Sequence, residues 1–160
     1  MLHRTLRSPW TRAAALAVVA VGVGSVVHAA VTDDADAIDG YCATVAEQRA
    51  AVGQALAAGP TTGLIRALPS FERLEAAAPA DIADEWARVN GAVGDLVDAL
   101  DDAGVDPSTY RRDDPPVGLS RADRAAIDAA AAALGAPGTQ AAMAAVEQQA
   151  RDVCRSPLSL

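Results

Sequence analysis

Two cysteines, Cys42 and Cys154, and twenty-one acidic side chains are the reactive inventory of this 160-residue chain. Lysine is absent, and both histidines, His3 and His28, lie within the first 28 residues. An even cysteine count beyond an apolar N-terminal run reads as one disulfide formed in an oxidising compartment. Such a bridge consumes both thiols. The rest of the chain can then assemble no Ser–His or Cys–His couple and offers no Schiff-base amine. Zinc would find only carboxylates to bind. A carboxylate-based hydrolase is the remaining enzymatic option, but no pair of acids stands out to perform it. The expectation is a protein without catalytic residues or cofactor.

Three further groups could do something other than catalysis. Asp95, Asp98, Asp101, Asp102 and Asp106 form the densest acidic cluster, where a divalent cation competes with a plain solvated face. The alternating ligands and central glycine of a calcium loop are missing, since Leu100 and Ala103 stand where oxygens are needed. The cluster therefore reads as solvated, with no metal site. Tyr110-Arg111-Arg112-Asp113-Asp114-Pro115-Pro116 combines an aromatic ring, two guanidiniums and a stiff exit, a composition found at protein contacts. Tyr110, Arg111 and Arg112 are thus candidate partner-contact residues; the alternative is a crossover whose arginines pair with nearby acids. Trp86 and Gly91 could line a groove for an apolar ligand. Trp86 also fits a core position, and Gly91 and Gly94 could mark close packing of a neighbouring helix.

The N-terminus carries an address. Arg4, Arg7 and Arg12 precede a nearly uninterrupted apolar stretch, Ala13 to Val31, and the first acids are Asp33 and Asp34. This is the layout of a secretory signal, with Val27-His28-Ala29 placing cleavage between Ala29 and Ala30. An uncleaved anchor is the alternative, since nineteen residues at 1.5 Å rise span roughly 28 Å. Either way residues 32–160 lie outside the cytoplasmic membrane, because the arginines stay inside. Beyond Ala29 ten arginines face all twenty-one acids, a net charge of about −11. Nucleic acid and anionic lipid surfaces are accordingly poor partners, and membrane contact is expected only through an uncleaved N-terminal segment.

The elements that must position these residues are helical. Residues 1–29 form the signal or anchor, 30–35 a short linker, 36–155 one helical domain and 156–160 a tail. An alanine-rich chain with arginine and acids is a good helix former, and its core must be narrow. The first helix spans about Asp36 to Ala58 on a stripe of Ile38, Cys42, Val45, Val52 and Leu56, stopped by Gly59-Pro60. Thr61 to Ala77 reads as a helical piece broken at Pro69-Ser70, with Ser70 capping its second half. Pro79 opens a long helix as its first residue, with Asp81 in the first turn and a buried face of Ile82, Trp86, Val89, Val93, Leu96, Val97 and Leu100. Gly104 ends it as a C-terminal glycine cap. Pro107 to Gly118 is an irregular connection. Ser120 caps the next helix, which lasts to Leu134, and Gly135 to Gly138 is a break. The last helix runs from Thr139 to about Arg155, with Met143, Val146, Ala150 and Val153/Cys154 inward.

A Cys42–Cys154 bridge joins the start of the first helix to the end of the last. Both points then share one end of the domain, which an up-and-down bundle meets only with an even number of full crossings. The expected fold is an all-α, up-and-down four-helix bundle, with Thr61–Ala77 as a short broken connector and one disulfide between the first and last helices.

The order of a cysteine at the first helix, Leu68-Pro69-Ser70-Phe71-Glu72-Arg73-Leu74, then Ala77-Ala78-Pro79-Ala80-Asp81-Ile82 and a final cysteine resembles a group of small exported or lipid-anchored helical proteins of actinobacteria. That resemblance covers roughly residues 40–155 and implies export and a helical fold. The lipid-attachment cysteine of some such proteins is missing here, and no catalytic or binding residue carries over. Two functions follow as expectations. The first is a non-enzymatic module of the cell envelope acting through protein contacts. The alternative is a carrier holding a small apolar ligand between helices, which a cavity of about 300 Å³ or more would favour.

Overall fold

The computed structural model describes the backbone of residues 19–60 and 62–159, with side chains from residue 35 onward. Five helices and no strand occur among them: α1 (Val19–Leu56), α2 (Gly63–Ala77), α3 (Ala83–Asp102), α4 (Arg121–Leu134) and α5 (Pro137–Asp152). The chain divides into two units, 1–36 and 37–160, and the second holds everything described below. Residues 1–18, which carry the N-terminal arginines and the start of the apolar run, lie outside the described residues. Among the described residues no helix is long and apolar enough to cross a membrane. The expected linker at 30–35 is helical, because its Ala, Val, Thr and Asp side chains contain no helix breaker and α1 continues through them.

Cys42 and Cys154 stand at disulfide distance, with Cα atoms 5.0 Å apart across 112 residues of chain. They tie α1 to the segment just beyond α5, since α5 ends at Asp152 and Cys154 follows in a turn. The main core lies beside this bridge. Tyr41, Val45 and Val52 of α1 meet Ala67, Phe71 and Leu74 of α2, Trp86 and Val89 of α3, and Ala142, Val146 and Ala150 of α5. At its centre Trp86 is fully buried; its ring centroid lies 5.6 Å from that of Phe71. Its indole N–H donates to the Tyr41 hydroxyl at 3.1 Å, which satisfies the one polar atom that so large a side chain carries inward. A smaller core joins Leu100, Val105, Tyr110 and Ile127.

The structure corrects several sequence expectations. α2 is one continuous helix, not a short broken connector, although Pro69 sits inside it. An interior proline costs about 3 kcal/mol. Ala67, Phe71 and Leu74 keep helical spacing across it and are all buried, so packing offsets that loss. Ser70 is buried within the helix and caps nothing. Pro79 belongs to a turn closed by the Ile82 N–H donating to the Pro79 carbonyl; α3 starts at Ala83, with Asp84 and Glu85 as its first-turn acids. The stripe of α1 is rotated, burying Tyr41 and leaving Ile38 and Leu56 exposed, because the phenol finds its partner in Trp86 and Ile38 lies beyond the packed end. α5 starts two residues early, with Pro137 at its first turn, and leaves Val153 exposed. In the expected tail Leu158 is buried in the main core, and Ser156 accepts a hydrogen bond from Arg49 at 3.2 Å.

Other expectations hold. The face of α3 buries Trp86, Val89, Val93 and Leu100, whereas Leu96 and Val97 are only half-buried. Gly104 adopts φ +64, and the Val105 N–H donates to the Leu100 carbonyl at 2.9 Å, a glycine-terminated helix end. Ser120 caps α4 by accepting from the Asp123 N–H at 3.1 Å.

Candidate functional site

The connection between α3 and α4 builds the site. Once Gly104 has turned the chain out of α3, the Asp106 carboxylate accepts from the Ser108 N–H at 2.8 Å and from the Ser108 hydroxyl at 2.7 Å. These two bonds hold its carboxyl below the usual carboxylate range. The Asp106 carbonyl in turn accepts from the Tyr110 N–H at 3.0 Å. This Asx-type turn folds Tyr110 back onto Leu100 and Ile127, where the ring is only 8% exposed. Tyr110 is therefore part of a core and not an aromatic offered outward to a partner. Its hydroxyl is buried and has no hydrogen-bond partner.

Beside that ring lies a cavity of about 420 Å³. Leu64 from α2, Leu96 and Leu100 from α3, and Ile127, Ala131 and Leu134 from α4 contribute apolar walls. Tyr110, Arg111, Arg112 and Asp128 supply its polar atoms, together with Gln140. Arg112 and Asp128 form an ion pair at 2.9 Å on the exposed side, where such a pair contributes little to stability. The Arg112 carbonyl also accepts from the Arg124 guanidinium at 3.1 Å, which ties the loop to α4. Arg111 donates to the Tyr110 carbonyl at 2.8 Å and makes no ion pair with a described residue. A predominantly apolar hollow with a few convergent polar groups is the usual form of a small-molecule site. A second hollow between α3 and α5, about 510 Å³, is more open and is lined by Glu85, Arg88, Gly138 and three alanines. It offers far less apolar wall.

The site expected at Trp86 and Gly91 is not where the cavity lies. Phe71 and Tyr41 occupy the space around the indole, and neither Trp86 nor Gly91 lines the cavity. A methyl group added at Gly91 or Gly94 would meet no atom within 4 Å, so neither glycine serves close helix packing. The acidic residues of α3 do not converge: no group of three or more metal-ligating side chains gathers among the described residues. Arg111 and Arg112 are exposed as expected, and Arg112 has the acidic partner that a crossover reading supplies. The cavity walls escaped the sequence reading. Leu96 and Leu100 were legible as apolar helix positions, but nothing in their spacing says that the space beside them is unfilled.

Comparison of the chain with protein-family models, curated proteins and solved structures returns no match.

Proposed function

We propose that this protein is an exported, non-enzymatic binding protein of the cell envelope that holds a small apolar ligand in the cavity between α2, α3 and α4. The supporting observation is an apolar hollow of about 420 Å³ walled by Leu64, Leu96, Leu100, Ile127 and Leu134. Export is supported by the cysteine pair, by the basic and apolar N-terminus, and by the resemblance to exported actinobacterial proteins. An up-and-down order of α1, α3, α4 and α5 belongs to the same proposal, supported by the bridge that brings both ends of the domain together.

A neutral apolar dye such as N-phenylnaphthylamine tests the reading. Its emission rises when it enters the cavity, and Ala131→Trp, at an exposed wall position, lowers its affinity by about tenfold or more by occupying the space. Absence of any dye uptake by the wild-type protein refutes the carrier.

One observation favours the protein-contact reading instead. Val117, just beyond Pro115-Pro116 in the loop that carries the two arginines, is fully exposed. Capture of an envelope protein by the wild type, lost in Val117→Asp but kept in Ala131→Trp, would assign the function to that loop.

A further inference from the structure

We infer that the ligand is an amphiphilic monoanion, a carboxylate on an apolar tail, with the tail in the cavity and the head on Arg111. The inference rests on the carrier reading above and adds the chemical class of the ligand. The two arginines at the cavity differ in what they have left to offer. Arg112 is neutralised by Asp128 at 2.9 Å. Arg111 spends one N–H on the Tyr110 carbonyl at 2.8 Å and meets no carboxylate among the described residues. A guanidinium has five N–H donors in a planar fork, and that fork matches a carboxylate. One cation with open donors thus flanks an apolar space.

The charges around this point set the direction of the preference. The cavity lining contains two arginines and one aspartate, a local excess of one positive charge in a chain whose net charge is −8. Asp113 and Asp114 follow in sequence but do not line the cavity. A cationic amphiphile gains nothing from Arg111. A neutral alcohol gains one hydrogen bond. A carboxylate gains charge-assisted bonds, which are roughly twice as strong as neutral ones. Because the overall field of the protein repels anions, the preference must come from direct contact and not from long-range attraction.

Displacement of the apolar dye by dodecanoate, dodecanol and dodecyltrimethylammonium, each below its micelle concentration, tests the inference on the full domain. Dodecanoate should bind about tenfold more tightly than dodecanol, with the cation weakest. Arg111→Gln should erase the difference between acid and alcohol while leaving the alcohol's affinity unchanged. Asp128→Asn should widen the difference, since it frees the second guanidinium. Equal affinity of acid and alcohol in the wild type, or a preference that survives Arg111→Gln, overturns the anionic head group and leaves the carrier reading standing. Failure of the dye and of all three amphiphiles overturns both.

Discussion

Removing the Cys42–Cys154 bridge tests how much of this fold's stability comes from its covalent closure. The bridge closes 112 residues of chain. In the chain-entropy treatment a loop of that length restricts the unfolded ensemble by about 16 cal/mol/K, or close to 5 kcal/mol at room temperature. A domain of this size has a total stability of about 5–15 kcal/mol, so the double variant Cys42→Ser/Cys154→Ser should lose a third of its stability or more. The cysteines are half-buried against the main core, so serine adds a smaller packing loss at the same site. Urea denaturation followed by far-ultraviolet circular dichroism reads the effect. With a slope in the range of 1–3 kcal/mol per molar, the midpoint should fall by roughly 1.6–5 M, and the slope should rise because the unfolded chain is less compact. A midpoint that moves by less than about 0.5 M at unchanged slope refutes the loop-closure reasoning. Free thiols in the oxidised protein would refute the pairing itself.

Other predictions rest on single side chains. Tyr41→Phe strands the Trp86 indole N–H in the core and should cost about 1–3 kcal/mol in a thermal or urea melt. The same residue sets an alkaline limit. Burial raises the Tyr41 phenol above its ordinary value of 10.0, the bond from Trp86 pulls the other way, and Asp81 adds to the rise. Its contribution to stability is therefore complete below about pH 10 and disappears as pH climbs through the raised folded-state value, a slope that Tyr41→Phe should lack. Gly104→Ala forces a side chain into a left-handed backbone at φ +64 and should destabilise by about 1–2 kcal/mol. Gly91→Ala, in a helix interior with open space around it, should stabilise by nearly 1 kcal/mol in the same assay.

How far local rules reach is clearest along α3. Its buried face followed from apolar residues at helical spacing, its end from Gly104, and the start of α4 from Ser120, because each depends on residues within one or two turns. α2 shows where those rules stop. Pro69 argues locally for a break, yet burial of Phe71 and Leu74 against Trp86 rewards an unbroken helix, and that reward depends on another element. Tyr41 was passed over for the same reason: a tyrosine beside an apolar stripe gives no sign that an indole 45 residues away will accept its company.

The candidate site divides along similar lines. Tyr110, Arg111 and Arg112 were identifiable by composition, but the inward turn of Tyr110 depends on an Asx-type turn at Asp106, and the neutralisation of Arg112 on Asp128 sixteen residues away. The order of residues was enough to establish a helical chain and to nominate its covalent closure, since these depend on residue type, count and near-neighbour spacing. Where space stays empty, which hydroxyl goes without a partner and which guanidinium keeps its charge exposed were matters for the assembled fold. They arise from differences between surfaces brought together from distant parts of the chain, and no short-range pattern encodes a gap.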